Sequence, residues 1–253
     1  MIIPVYQPLG SSSHRLAADI GAQRQEKATH TGTLDPMAEG VLVVLTGEDR
    51  FQKSVYSKWP KVYEFSILWG LTTDTDDSLG LLTASPASWH KLPPTNHLAK
   101  QLQTLLPKFL GEQEQQVHAF SARRWQGQSS FDFARRGEPI PKKTRTISLS
   151  SFALIHTDTL PLATISEEFS HRLTLVSGDW RQQEIAETWK VLNTTHQTDS
   201  LPRTFFRVHC SHGTYIRQLA HDLTQKLSLP GIVWNLKRIQ NGPYTLADTE
   251  QVK

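Results

Sequence analysis

Apolar and polar positions recur with a readable period along most of the chain. After Ser11-Ser12-Ser13, good N-cap candidates, Leu16, Ala17 and Ile20 fall at helical spacing. Residues 11–24 therefore predict a short helix that Gly21 ends or weakens. Val41-Leu-Val-Val-Leu45 is short, β-branched and bounded by glycines, the pattern of a buried strand. Lys61–Trp69 alternates: Tyr63, Phe65, Ile67 and Trp69 share one face of a strand, and Val62, Glu64, Ser66 and Leu68 share the other. Leu98, Leu102, Leu105, Leu106 and Phe109 form one stripe of an amphipathic helix, with Gly111 placed to end it. Residues 147–155, 172–176, 205–210 and 232–239 read as strands. Ile185, Ala186, Trp189 and Leu192 line a helix capped near Asp179. The clearest helix follows Gly213: Ile216, Leu219, Ala220, Leu223 and Leu227 make one apolar stripe, and Thr214 or Ser211 can cap it. Polar turns are expected at 47–50 and 70–80, a connecting loop at 84–96, a mobile polar stretch at 113–116 and a turn at 242–244. Segment 157–204 carries no functional signal.

At 253 residues and 38% hydrophobic, the chain can bury a real core as one large domain or two small ones. Its one cysteine, Cys210, excludes an internal disulfide and a cysteine-rich zinc site, and fits a reducing compartment, read as cytoplasm. The N-terminus lacks the basic-then-apolar plan of a signal peptide, and no apolar run approaches the ~20 residues of a membrane span. Net charge is only +3, but its distribution is uneven. Arg123, Arg124, Arg135, Arg136, Lys142, Lys143 and Arg145 face only Asp132 and Glu138, with Trp125, Phe131 and Phe133 interleaved. Basic groups neutralise phosphates and aromatics stack on bases, so the mixture suits RNA; a solvated basic face is the plainer alternative. The chain holds no solenoid repeat, phosphate-cradling glycine loop, nucleophile elbow or zinc helix. The aspartates of 70–80 lack EF-hand spacing, so no metal is expected.

Candidate chemistry centres on His30-Thr-Gly-Thr-Leu-Asp35-Pro36-Met-Ala-Glu-Gly40. Proline pushes Asp35 out of the α region, and the strand that follows anchors its loop. Taken alone, Asp35 is better read as a turn residue, Tyr63 as a core tyrosine and Arg217 as a surface arginine. Arg217 nevertheless lies in the first turn of its helix, where a cation opposes the helix dipole and calls for a compensating anion.

Taken together, in order, the blocks say more. They are the Asp35 stretch; Lys61-Val-Tyr63; Gly70 with Thr73-Asp-Thr75-Asp-Asp77-Ser-Leu-Gly80; Phe120-Ser-Ala with Gly127 and Ala134-Arg135-Arg-Gly137; Cys210-Ser-His-Gly213-Thr-Tyr-Ile-Arg217; and Leu236-Lys-Arg. From about Pro4 to Tyr244 the chain resembles the bacterial-type tRNA pseudouridine synthase B (TruB) family, which isomerises uridine 55 in the T loop of tRNA.

The resemblance implies an α+β pseudouridine synthase fold, a mixed, mainly antiparallel sheet flanked by helices with a central cleft. It implies catalysis by Asp35, with Tyr63 packing on the target base and implicated in proton removal, and Arg217 pairing with the aspartate. Leu236 would line the uracil pocket and His30 would belong to the RNA-binding active-site loop. Tyr215, Arg124 and Arg135 join them as substrate-binding candidates. Isomerisation breaks C1′–N1, turns the uracil and joins C5 to C1′. A carboxylate can attack C1′ or C6, or take a proton from C2′. It must be ionised, which a neighbouring cation favours. Neither cofactor nor metal is required. The partner implied is the tRNA T stem-loop, with the base flipped out, and the chain is expected to be a monomer without an obligatory protein partner or membrane.

The expected organisation is a catalytic domain over 1–245, with an RNA-contacting insertion at about 84–145 and an unexplained longer segment at about 157–204. Residues 246–253 would be a short tail, the small C-terminal RNA-binding domain of many members being absent or vestigial. Departures from the family are Gln7 for a lysine, Thr29 for a glycine, Val117-His118 for two prolines and Arg124 for a lysine. They bear on affinity and substrate range; together with the expected loss of the C-terminal domain they motivate a second reading, a non-catalytic tRNA-binding or tRNA-folding protein on the same scaffold.

Overall fold

A nine-stranded sheet organises the computed structural model, which describes residues 1–83, 92–118, 120, 143–194 and 199–250, with the backbone of 124–125 and 128–129. The strands are β1 (Ile2–Gln7), β2 (Ala28–His30), β3 (Glu39–Thr46), β4 (Lys61–Trp69), β5 (Gly111–Gln116), β6 (Arg124–Trp125), β7 (Gln128–Ser129), β8 (Thr144–Pro161), β9 (Ser200–Cys210), β10 (Gly231–Asn241) and β11 (Tyr244–Thr245). Their order is β1-β3-β10-β4-β9-β8-β5, with β2 on β3 and β11 on β10; β6 and β7 pair separately. Among the described residues β3 and β10 pair in parallel and the other strand pairs are antiparallel. The helices are α1 (Ser13–Gln23), α2 (Lys53–Tyr56), α3 (Thr95–Leu105), α4 (Leu162–Leu175), α5 (Gln182–Trp189), α6 (Val191–Thr194) and α7 (Ile216–Leu227). This is the mainly antiparallel α+β arrangement expected.

The alternation of β4 sorts two cores. Tyr63, Phe65, Ile67 and Trp69 pack with Leu98 and Leu102 of α3 and with Leu219 and Leu223 of α7. Leu68, on the opposite face, packs with Ile232 and Trp234 of β10 and with Ile165, Phe169 and Trp189 of α4 and α5. Both faces of the central strands are therefore covered, whereas α1 covers β1 and β3 through Ala17 and Ile20.

Several local expectations need correction. Residues 172–176 are not a strand. They close α4, whose buried stripe Leu162, Ile165, Phe169 and Arg172 has helical spacing and overrides the β-branched look of its last turn. Residues 113–116 are not mobile linker but β5, pairing with β8 in full register. Neither Thr214 nor Ser211 caps α7. Tyr215 is its N-cap residue and has no side-chain cap, while Gln115 from β5 accepts a hydrogen bond from Tyr215 N at 2.8 Å and donates to Tyr215 O at 3.0 Å. A side-chain amide from a neighbouring strand thus replaces a local cap. Of the connecting loop at 84–96, residues 84–91 lie outside the described residues and α3 already begins at Thr95. In the basic and aromatic segment, Arg135 and the side chain of Arg124 also lie outside them.

Candidate active site

The loop between β2 and β3 carries Asp35 and is fastened along its length. Thr31 N donates to Val43 O at 3.0 Å, Arg238 Nη2 to Gly32 O at 3.1 Å and Asn241 Nδ2 to Thr31 Oγ1 at 3.2 Å. Leu34 N, next to the aspartate, donates to Ser13 Oγ at 2.9 Å, and that hydroxyl donates to Gln7 Oε1 at 2.6 Å. Gln7 is fully buried, so its difference from a family lysine lies under the Asp35 loop and not on an exposed surface. Beyond the aspartate, Gly10 N donates to Pro36 O at 2.8 Å. Gly40 ends the loop at φ +114, where a Cβ would sit 2.2 Å from Arg238 O; only glycine lets β3 approach β10 there.

Arg217 meets this loop from the first turn of α7. Its Nε and Nη2 donate to the two oxygens of Asp35, each at 2.9 Å, a bidentate fork, and Asp77 Oδ2 lies 3.5 Å from Nε. Nη1 donates to Thr75 O at 3.0 Å and Nη2 to Phe120 O at 2.7 Å. The anion anticipated for Arg217 is thus Asp35, joined by Asp77. Burial works against the charged guanidinium, but the Asp35 and Asp77 carboxylates outweigh it and raise its pKa. Burial pushes the carboxyl of Asp77 up, while Thr75 Oγ1 and Leu79 N donate to it at 2.7 and 2.9 Å.

The loop carrying Thr75 and Asp77 is braced through Asp76, a non-glycine at φ +57. Asp76 bonds His118 at 3.0 Å and His221 at 3.1 Å; against the pull of burial, these histidines bring its carboxyl down to about 2. Asp74 pairs with Arg181 at 2.9 Å. Each aspartate of the loop therefore has a basic side-chain partner, and among the described residues no cluster of side chains suits a metal ion.

Two cavities meet at Asp35. One, of about 500 Å³, is lined by Tyr63, Tyr215, Ile216, Leu236, Arg238, Lys61 and Arg145. The other, of about 390 Å³, is lined by His30, Phe120, Trp180, Asp77 and Arg217. The structure accordingly brings Asp35, Tyr63, Arg217, Tyr215, Leu236 and His30 around one point. Burial raises the pKa of the Tyr63 phenol, whose oxygen accepts from Arg238 Nη1 at 3.4 Å. Burial, with Lys53, Arg238 and His14 nearby, lowers His30 to about 4, so it is neutral at pH 7. Its Nδ1 is buried without a hydrogen-bond partner.

Two site residues do not stand out in the sequence. Arg238 is fully buried, faces Tyr63 across the β10–β4 register, and fixes both Gly32 and Val41. Its position two residues after Leu236 on a strand was the available signal. Asp77 is one of three loop carboxylates, and nothing local distinguishes it from Asp74 and Asp76.

A family model described as TruB family pseudouridylate synthase, N-terminal domain, matches residues 21–178. The chain belongs to the TruB family. It is 31% identical over 241 residues to the tRNA pseudouridine synthase B of Nitratidesulfovibrio vulgaris strain Hildenborough, covering 95% of this chain and 64% of that protein. To the enzyme of the same name from Oleidesulfovibrio alaskensis it is 32% identical over 252 residues, covering 99% of this chain and 66% of the relative. The chain therefore spans just under two thirds of the length of these relatives. Among solved structures it is similar to a Cbf5–Nop10–Gar1 complex, with a TM-score of 0.60 and 19% identity over 99% of this chain and 52% of the other. It is also similar to an H/ACA RNP bound to a substrate RNA containing 2′-deoxyuridine, with a TM-score of 0.56 and 18% identity over 99% of this chain and 50% of the other. These likenesses establish the pseudouridine synthase fold.

Proposed function

We propose that the chain isomerises uridine to pseudouridine at position 55 of tRNA, with Asp35 as the catalytic carboxylate. The observation that carries this reading is the bidentate Asp35–Arg217 pair at the junction of two cavities, in a member of the TruB family. The fork orients both carboxylate oxygens while leaving each a lone pair for the sugar or the base. The flipped uracil occupies the larger cavity, between Tyr63 and the apolar wall of Leu236 and Ile216. Enclosure there retains the detached base while it turns to present C5 to C1′. Tyr63 is a neutral phenol held by Arg238, which suits it to pack on the base. Arg217 steadies the carboxylate, and Asp77 holds Arg217 from behind.

The relatives bear the name tRNA pseudouridine synthase B, which supports tRNA as substrate. The binding-only reading draws on the altered RNA-contact positions, Gln7 and His118 among them, and on the expected loss of the C-terminal domain. Both side chains are buried and hydrogen-bonded inside the molecule, so those changes do not argue for loss of chemistry. The test is complementation of a bacterial strain lacking pseudouridine 55. Wild type should restore the modification and Asp35→Ala should not; restoration by Asp35→Ala would overturn the assignment.

A further inference from the structure

The larger cavity holds more positive charge than its own residues balance. Asp35 is its one carboxylate among the described lining residues, and Arg217 already claims it. Facing it are Arg145, Lys61, Arg238 and His212. Arg238 is spoken for, with bonds to Val41 O, Gly32 O and the Tyr63 hydroxyl. Among the described residues neither Arg145 nor Lys61 forms an ion pair with a carboxylate, and His212 adds a ring N–H. Lys61 directs two donors at Ser57 O and Trp59 O, at 2.8 and 2.6 Å, and has a third to give.

Arg145 is the most telling. It stands opposite Gln115 in the β5–β8 register, and Gln115 is tied to Tyr215 at the start of α7. That pairing brings the guanidinium onto the backbone of Gly213, where a Cβ would lie 2.1 Å from Cζ. Glycine at φ +79 is what admits the arginine there. Yet Arg145 Nε is buried with no hydrogen-bond partner, and its guanidinium carbon lies 5.9 Å from the Tyr215 ring centre. A buried donor left unmade, in a position that the fold arranges at the expense of a side chain, calls for an acceptor that arrives with a ligand.

We infer that Arg145, Lys61 and His212 form a phosphodiester subsite in this cavity, which takes a backbone phosphate adjoining the target nucleotide. The inference rests on the synthase reading above and adds the group that anchors the RNA backbone beside the flipped nucleotide. A guanidinium suits a phosphate by its planar fork, and a buried ammonium adds a point charge. The electrostatics agree. Burial, then Arg238, lowers Lys61 to about 8, and burial with Lys61, Arg145 and Lys58 lowers His212. A phosphate relieves the like-charge crowding of Lys61 by Arg238 and gives His212, held below its ordinary pKa, an acceptor for its ring N–H.

The test is a binding titration by fluorescence anisotropy with T-arm RNA hairpins, each carrying one neutral methylphosphonate linkage, on the 5′ or the 3′ side of the target uridine. Wild type should lose about 10-fold in affinity for one of these two hairpins, and the salt slope should fall by roughly 0.7–0.9. Arg145→Gln should lose a similar factor on the unmodified hairpin and nothing further on that modified one. His212→Ala, at an exposed position, serves as a second variant should Arg145→Gln fail to fold; it should weaken binding of the unmodified hairpin and lose less than wild type on the modified one. Tritium release measured over a range of RNA concentrations should show a raised KM and a kcat within about twofold of wild type, since these residues grip the backbone and not the reacting atoms. Wild-type binding that is indifferent to both methylphosphonates, or losses from variant and linkage that simply multiply, would overturn the subsite alone. Failure of wild type to bind the unmodified hairpin would overturn the synthase reading and the subsite with it.

Discussion

Arg217 makes four hydrogen bonds to three separate stretches of chain, the Asp35 loop, Thr75 and Phe120, and it is buried where it does so. A single guanidinium therefore fixes the relative position of the elements that form the site. His30 illustrates the opposite case, a side chain whose position costs stability. With a folded pKa near 4 against an ordinary 6.5, the unfolded chain binds its proton more readily. Stability is then greater above pH 6.5 and declines as the pH falls toward 4. Between pH 7 and pH 5 this contributes a loss of about 2 kcal/mol. Urea denaturation of wild type and His30→Gln at the two pH values measures it. The variant should lose less stability than wild type over that interval, and equal losses in both proteins would refute the assignment.

At the scale of elements, segment 157–204 finds its use. It carries α4, α5 and α6 behind the loop that holds Thr75 and Asp77. Trp189 Nε1 donates to Gly80 O at 2.9 Å, Thr188 Oγ1 accepts from Leu82 N at 3.0 Å, and Arg181 pairs with Asp74. Trp189 is stacked on Phe169 with ring centres 4.1 Å apart. On the other side Ser177 N bonds Gly10 O, beneath the Asp35 loop. The segment thus braces both functional loops from outside the cleft. Trp189→Ala should cost about 3–5 kcal/mol by cavity formation, measured by urea denaturation. Unchanged stability would mean that the brace is dispensable.

The sequence made β3, β4, β9, β10 and α7 legible because their period is strong and uninterrupted. It misled where local pattern and tertiary pairing disagreed. Gln113 and Gln116 have nothing apolar to announce a strand, and β5 exists because β8 supplies a partner. The last turn of α4 looks β-prone in isolation and is helical because its stripe begins ten residues earlier, at Leu162. The site was legible to the extent that its residues fall in recognisable motifs. The joint roles of Asp77, Arg238 and Arg145 were not, since each depends on a partner remote in the chain.

For the whole molecule, the sheet order explains how distant motifs converge. Placing β10 between β3 and β4 sets Arg238 against both the Asp35 loop and Tyr63, and the β5–β8 pair carries Gln115 and Arg145 to the start of α7. The outcome is one carboxylate gripped by one arginine, with a cavity on either side. The most direct test of that arrangement as a synthase is tritium release from a tRNA transcript labelled at C5 of uridine, with wild type and Asp35→Asn compared. C5 loses its hydrogen only when the new carbon–carbon bond is completed. Release by wild type at position 55, and none by Asp35→Asn despite retained tRNA binding, is the predicted result. Equal release by the two proteins, or no release by a wild type that binds tRNA tightly, would contradict it.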